Sequence, residues 1–143
     1  MKPRLPSLPL CTPALALALA VVPAWAGPDA GWPARVLRAV NDARHQQGLQ
    51  ALSLAPDLQR IAQGHSDDMA ARRRLSHEGF QARFDQTSSD LCVENVAGGT
   101  IIPATLVAAW TQAPQHRRNL FEPRVRRAGI AVSEVYVTLF ACE

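Results

Sequence analysis

Hydrophobic residues recur at helical spacing in several stretches of the chain. In the first, Val36, Val40 and Ala43 lie about one helical turn apart. Pro33 suits the first turn of a helix, and Gly48 suits the left-handed position just after its end. The pattern therefore predicts a helix between Pro33 and Gly48, which a short extended segment follows at 49–54.

The second stretch has the clearest amphipathic pattern. Pro56 opens it, and the three arginines at 72–74 lie near its end, where cations complement the helix dipole. Its apolar stripe is formed by Leu58, Ile61, Ala62, His65 and Met69. Because a lone histidine on an apolar stripe is more often a packed residue than a ligand, we expect His65 to belong to the core.

Shorter patterns predict the remaining elements. Pro103 opens a helix with Leu106, Val107 and Trp110 on its inner face, and Pro114 is expected to end that helix. The other elements are a short helix at 81–86, a strand at 91–97, one helical turn at 118–121, and two strands at 129–132 and 135–142 that Ser133-Glu134 would link.

The N-terminus has the organisation of an export signal. Two positive charges come first, an uncharged run of small apolar residues follows at 14–22, and Ala24-Trp25-Ala26 has the small-x-small pattern that signal peptidase cleaves. We therefore expect a cleaved signal peptide at 1–26, a flexible leader at 27–32 and one domain at 33–143, in a secreted or periplasmic protein.

Two other interpretations of the N-terminus are weaker. The apolar run is shorter than the ~20 residues that a membrane-spanning helix needs, and Pro23 closes it. A lipoprotein signal would place its cysteine after the apolar run, whereas Cys11 precedes it. We expect no membrane span in the mature chain.

Export changes the charge balance. The whole chain has 15 Lys and Arg and 12 Asp and Glu, a net charge of +3. Removal of Lys2 and Arg4 with the signal peptide leaves thirteen arginines and twelve acids, so the mature charge is +1. A nearly balanced charge does not indicate nucleic-acid binding, and we expect a monomer that has no nucleic-acid partner.

Export also changes the cysteine count. Cys92 and Cys142 remain after Cys11 is removed. Two cysteines in an oxidising compartment favour one disulfide, although two buried free thiols are the alternative. The disulfide would close a loop of about 50 residues, worth roughly 4 kcal/mol on the chain-entropy model.

Three residues are candidates for chemistry. His77 and His116 lie at or near element boundaries among polar residues, where sites tend to be built. Glu94 interrupts an otherwise apolar strand, so its carboxylate either points to solvent by simple alternation or lines a cleft. The three residues are far apart in sequence, and spacing alone does not bring them together. His45, near the end of the first helix, is expected to be solvated.

Five blocks of sequence resemble small bacterial SCP-like members of the CAP superfamily, which is named for cysteine-rich secretory proteins, antigen 5 and pathogenesis-related 1. They follow the family's order over roughly residues 35–141. The matching blocks are Asn41-Asp42-Ala43-Arg44; 65–70 with Ser76-His77; Glu94-Asn95-Val96-Ala97; Trp110 with 114–120; and Gly129-Ile130-Ala131 with 136–140.

The resemblance implies an α+β fold, an α–β–α sandwich with a three-stranded antiparallel sheet between helical layers. It also implies a cleft that holds two histidines and one or two acids, in which His77, Glu94 and His116 match three tetrad positions. A fourth acid, found after the tryptophan in many eukaryotic members, is absent because Thr111, Gln112 and Ala113 follow Trp110.

Two functions agree with this cleft. The first is binding without turnover, with a small molecule, lipid or sterol-like molecule, peptide, divalent metal or envelope protein as partner. The alternative is a zinc-dependent, protease-like hydrolase that uses His77, Glu94 and His116 as its catalytic cluster, with His77 and His116 as metal ligands. The missing fourth acid favours binding.

Overall fold

Proline residues set the start of several helices. The computed structural model describes residues 31–143, so the predicted signal peptide and most of the leader lie outside the described residues. Pro33 lies in the first turn of its helix, and Pro56, Pro103 and Pro114 each begin one. The helices are α1 (Trp32–Gln46), α2 (Pro56–Arg72), α3 (Phe80–Phe84), α4 (Pro103–Gln112) and α5 (Pro114–Leu120).

The expectation that Pro114 ends the third helix is wrong in one respect. Helix α4 ends at Gln112, Ala113 is extended, and Pro114 begins α5. The residue before a proline is held away from the helical region, whereas proline itself fits a first helical turn. Pro114 therefore separates two helices and starts the second one.

Four strands form one mixed sheet in the order β1-β3-β4-β2. The strands are β1 (Ser53–Leu54), β2 (Cys92–Gly98), β3 (Arg127–Ser133) and β4 (Tyr136–Cys142). β2, β4 and β3 are antiparallel, but β1 runs parallel to β3. The predicted three-stranded antiparallel sheet is therefore wrong in two respects: the sheet has four strands, and it is mixed because β1 is parallel to its neighbour. A two-residue strand is too short to show alternation in the sequence.

Helices cover both faces of the sheet. On one face, α1 and α4 pack a large apolar core against β3 and β4, with Trp110 and Ile130 fully buried. On the other face, α2 packs Leu58 and Ala62 against Ala131 and Phe140. No helix within residues 31–143 combines the length and apolar character that crossing a bilayer requires.

Gly129 allows α2 to approach β3 very closely. A Cβ atom at this position would lie 2.0 Å from the carbonyl oxygen of Leu58, which is backbone and cannot move aside. Glycine is therefore required where the helix crosses the strand.

The predicted disulfide between Cys92 and Cys142 is present. The two residues are directly opposite each other in the register of β2 and β4. The bond therefore ties the start of β2, an edge strand, to the C-terminal end of β4.

Candidate functional site

Glu94 is the centre of a buried polar cluster on β2. Its side chain is only 1% exposed, although a carboxylate is costly to bury without partners. Arg83 supplies two of them: Nε donates to Oε2 at 2.7 Å and Nη2 donates to Oε1 at 2.8 Å. This two-pronged pairing compensates the buried negative charge.

The short helix α3 aims Arg83 at the carboxylate. Phe80 at its start packs on Phe140 of β4, with ring centroids 5.9 Å apart, and stacks on Phe84. These ring contacts hold the helix against the sheet. The side chain of Arg83, between the two rings in sequence, then reaches the buried Glu94.

His77 joins the cluster from the loop after α2. Its Nδ1 lies 2.9 Å from Oε1 of Glu94, while its side chain is 52% exposed. An ionised carboxylate can only accept, so Nδ1 carries the proton and donates it. In the neutral ring Nε2 is then unprotonated and free to accept a proton, a hydrogen bond or a metal.

His65 approaches the same carboxylate from α2. It is buried, as its place on the apolar stripe predicts, and its Nε2 lies 2.8 Å from the carbonyl oxygen of Ser76 and 3.7 Å from Oε1 of Glu94. Burial lowers the pKa of His65, against the opposing charge of Glu94. The sequence pattern identified a core histidine but not its place beside the candidate acid.

His116 lies on α5, where it is half-buried. Burial lowers its pKa, and the nearby charge of His77 lowers it further. Both effects favour the neutral imidazole. The structure thus brings His77 and Glu94 into direct contact and sets His116 close enough to His77 for their charges to interact.

Amide side chains fasten α5 to the outer edge of β2. Asn119 donates from Nδ2 to the backbone oxygen of Glu94 at 2.8 Å and to Oδ1 of Asn95 at 3.1 Å. Asn95 donates in turn to the backbone oxygen of His116 at 3.0 Å. These bonds fix the distance between the helix that carries His116 and the strand that carries Glu94.

A cleft of about 390 Å³ opens where these elements meet. Its walls combine apolar groups with a few polar ones, which is typical of small-ligand sites. The lining residues are His77, Phe80, Cys92, Val93, Glu94, Gln115 and Asn119. His116, which was predicted to belong to the cleft, is not among them, and neither is Gln112, which is exposed at the end of α4.

The residues of the cleft do not fit a firmly held zinc ion. Both oxygens of Glu94 are engaged by Arg83 and His77, and His77 is the one histidine among the lining residues, whereas catalytic zinc sites have three protein ligands. Across the described part of the chain, no group of three or more His, Cys, Asp or Glu residues is placed to hold a metal ion.

Sequence reasoning missed Arg83. It lies in the segment assigned only to a short helix, and arginines elsewhere in the chain are mostly exposed. The one local signal is its position between Phe80 and Phe84, since a helix held down by two rings turns a neighbouring residue inward. Nothing in the sequence identifies Glu94 as its partner.

Several known proteins share this fold. A 107-residue stretch is 28% identical to the uncharacterised protein YkwD of Bacillus subtilis, covering 70% of this chain and 42% of that protein. An extracellular protein of Bacillus anthracis with an SCP domain superposes with a TM-score of 0.72 at 22% identity, over 79% of this chain and 40% of that one.

An outer surface protein of Borrelia burgdorferi superposes with a TM-score of 0.68 at 18% identity, over 76% of this chain and 89% of that one. At such identities the structural likeness establishes the fold alone. The chain spans less than half the length of the Bacillus proteins that it matches.

A sequence family accounts for almost all of the described domain. The model of the cysteine-rich secretory protein family, CAP, matches residues 37–142, from the first turns of α1 to the last residue of β4. The match includes every element that builds the cleft. The chain therefore belongs to the CAP family of cysteine-rich secretory proteins.

Proposed function

We propose that this chain is an exported CAP domain whose cleft binds a ligand without turning it over. The observation that carries the proposal is the engagement of both oxygens of Glu94 by Arg83 and His77. A carboxylate held in this way orients a histidine and is not free to act as a general base. Binding therefore fits the cleft better than hydrolysis.

The walls of the cleft indicate the kind of ligand. Phe80, Val93 and Cys92 supply apolar surface, and the polar groups are the exposed His77 and Gln115, the half-buried Asn119 and the buried Glu94. A molecule with an apolar body and one polar end matches this distribution. We therefore place lipid or sterol-like molecules first, followed by apolar peptides and the exposed segment of an envelope protein.

Export agrees with the chemistry of the domain and with its relatives. The disulfide Cys92–Cys142 requires an oxidising compartment to persist. Two of the structural relatives are described as an extracellular protein and an outer surface protein. We propose that the domain acts as a monomer in the periplasm or outside the cell.

Ligand titration followed by NMR of ¹⁵N-labelled protein tests the proposal. Fatty acids, sterols and apolar peptides should shift the signals of the cleft residues in a saturable way. Gln115→Trp, which fills the cleft, should weaken binding at least tenfold. Gln112→Trp is the matched control, because it changes an equally exposed glutamine outside the cleft. Equal affinity in both variants, or no saturable shift, would overturn ligand binding at this site.

Hydrolysis is the second candidate, favoured by the orientation of His77. A histidine whose Nδ1–H is held by a carboxylate presents Nε2 as a base or as a metal ligand. Turnover of peptide or ester libraries that is lost in a folded Glu94→Gln variant would support it. Zinc calorimetry on the wild type and on His116→Ala tests the metal, since equal heats or none would exclude these two ligands.

A further inference from the structure

Arg83 contacts both partners of the hydrogen bond between His77 and Glu94. Its Nε and Nη2 groups, here called the Arg83 fork, donate to the two carboxylate oxygens of Glu94. The same guanidinium donates to two backbone oxygens of the loop: Nη1 to Glu78 at 2.8 Å and Nη2 to His77 at 3.4 Å. One side chain therefore sets the position of the carboxylate and of the backbone that carries the imidazole.

The loop is shaped to allow this contact. Gly79 adopts a left-handed conformation with φ of +76°, and a Cβ atom there would lie 3.3 Å from Nη1 of Arg83. A side chain at this position would be strained and would crowd the guanidinium. The glycine lets the backbone of His77 and Glu78 come within hydrogen-bond distance of Arg83.

The fork also determines how Glu94 faces His77. Guanidinium is always protonated, so its positive charge compensates the negative charge of the buried carboxylate. Two parallel N–H bonds, one to each oxygen, fix the rotation of the carboxylate plane. Oxygen Oε1 is then held in place to accept the Nδ1–H of His77. A lysine would supply the charge but only a point contact, without this orientation.

We propose that Arg83 is the positioning residue of the cleft: it orients ionised Glu94 so that His77 keeps its proton on Nδ1 and presents an unprotonated Nε2 to the ligand. Only the presentation of Nε2 to a ligand rests on the proposed binding function. The position of the proton on the His77 ring does not require a ligand. A ligand that donates a hydrogen bond from a hydroxyl or amide N–H is the class that such an Nε2 would accept.

His65 provides an internal reference. Its Nε2 faces the carbonyl oxygen of Ser76, which only accepts, so neutral His65 carries its proton on Nε2. The two histidines beside one carboxylate are thus expected to be opposite tautomers. A general loosening of the domain would disturb both, whereas loss of the Arg83 fork would change His77 selectively.

Nitrogen-15 NMR of the imidazoles in the full chain, at alkaline pH where they are neutral, tests the proposal. The wild type should show His77 mainly as the Nδ1–H form. In Arg83→Lys and Arg83→Met, His77 should lose this majority form while His65 keeps Nε2–H. Arg72→Lys and Arg72→Met are the matched controls, because Arg72 pairs with the exposed carboxylates of Asp68 and Glu78 and not with Glu94.

The outcomes separate clearly. If His77 keeps the wild-type tautomer in Arg83→Lys, the fork is not what positions it and the proposal is wrong. A change of the His65 tautomer together with that of His77 would indicate a purely structural role and would also overturn it. The lysine variant keeps the test valid if the methionine variant does not fold. Failure to find a ligand would refute the binding function and leave this result unchanged.

Discussion

The domain contains two buried arginines whose surroundings differ. Arg44 on α1 has no exposed surface and donates to backbone oxygens, those of Gln50, Leu120, Glu122 and Val125, at 2.8–3.5 Å. Arg83 on α3 is 9% exposed and directs its fork at a carboxylate. The first ties together loops on the α1 face of the sheet, and the second holds a side chain beside an open cleft.

The difference shows how to distinguish a structural polar group from a functional one. The bonds of Arg44 end in backbone oxygens, including that of Leu120 at the end of α5, and do not orient a side chain of the cleft. Those of Arg83 continue through Glu94 to His77, an exposed group with a free nitrogen. We therefore expect changes near Arg44 to alter stability alone, and changes near Arg83 to alter the cleft as well.

Arg44→Met should have the largest effect on stability. It leaves at least three backbone oxygens without a charged donor in a buried place, and we expect a loss of about 3–5 kcal/mol in the free energy of unfolding. Urea unfolding measures this loss. The His77 signals should not move, and a change in its tautomer would contradict the separation of the two regions.

Replacement of both Cys92 and Cys142 by serine should come next. The disulfide closes a loop of 50 residues, and its loss should cost about 2–4 kcal/mol in urea unfolding. Because β2 is an edge strand, hydrogen exchange should increase more along β2 than along α1. Equal increases in both elements would argue against a local role for the disulfide at the cleft.

Gly79→Ala should have a smaller effect on stability but a specific one on the cleft. Alanine in a left-handed conformation costs about 1–2 kcal/mol, and here it would also crowd Arg83. Gly48→Ala is the matched control, since Gly48 has φ of +71° and open space around its Cβ position. Both variants should lose similar stability, but only Gly79→Ala should change the His77 tautomer. A change in both would refute the role of Gly79.

The smallest effect concerns pH. Burial lowers the pKa of His65 in the folded domain below its ordinary value of 6.5. The unfolded chain then binds more protons in the window just below pH 6.5, so stability is complete above that value and decreases as the pH falls through it. Burial also lowers the pKa of His116, so His116 adds to the same decrease in stability as the pH falls.

Urea unfolding over a pH series measures this dependence. His65→Gln should flatten it, because glutamine can still donate to Ser76 but does not titrate in this range. The free energies of unfolding of the wild type and His65→Gln are also compared at pH values above the window. A difference there reports lost packing, because His65 does not titrate in that range. An unchanged pH dependence in His65→Gln would show that His65 is not its source.

Much of the local structure was predictable from short-range chemistry. Proline marked the starts of α1, α2 and α4, and a richness in β-branched and aromatic residues marked β3 and β4. The strand β1 was not predictable, since two residues carry no pattern, and their pairing depends on backbone bonds from Ser53 to Arg126 and from Ala55 to Ala128. The family resemblance singled out His77, Glu94 and His116 as candidates but did not predict how Glu94 is held.

The sequence by itself determined α1, α2 and α4, the three longer strands, a core position for His65 and a disulfide between the two cysteines of the domain. The helices, the strands and the place of His65 follow from periodicity and backbone preferences, which act over a few residues. The disulfide follows from the number of cysteines in the domain, which needs no geometry. Only the tertiary structure decided the partner of Glu94. Arg83 lies eleven residues away on another element. Its pairing with Glu94 depends on how α3 packs against the sheet, because this packing brings Arg83 to the carboxylate that orients His77.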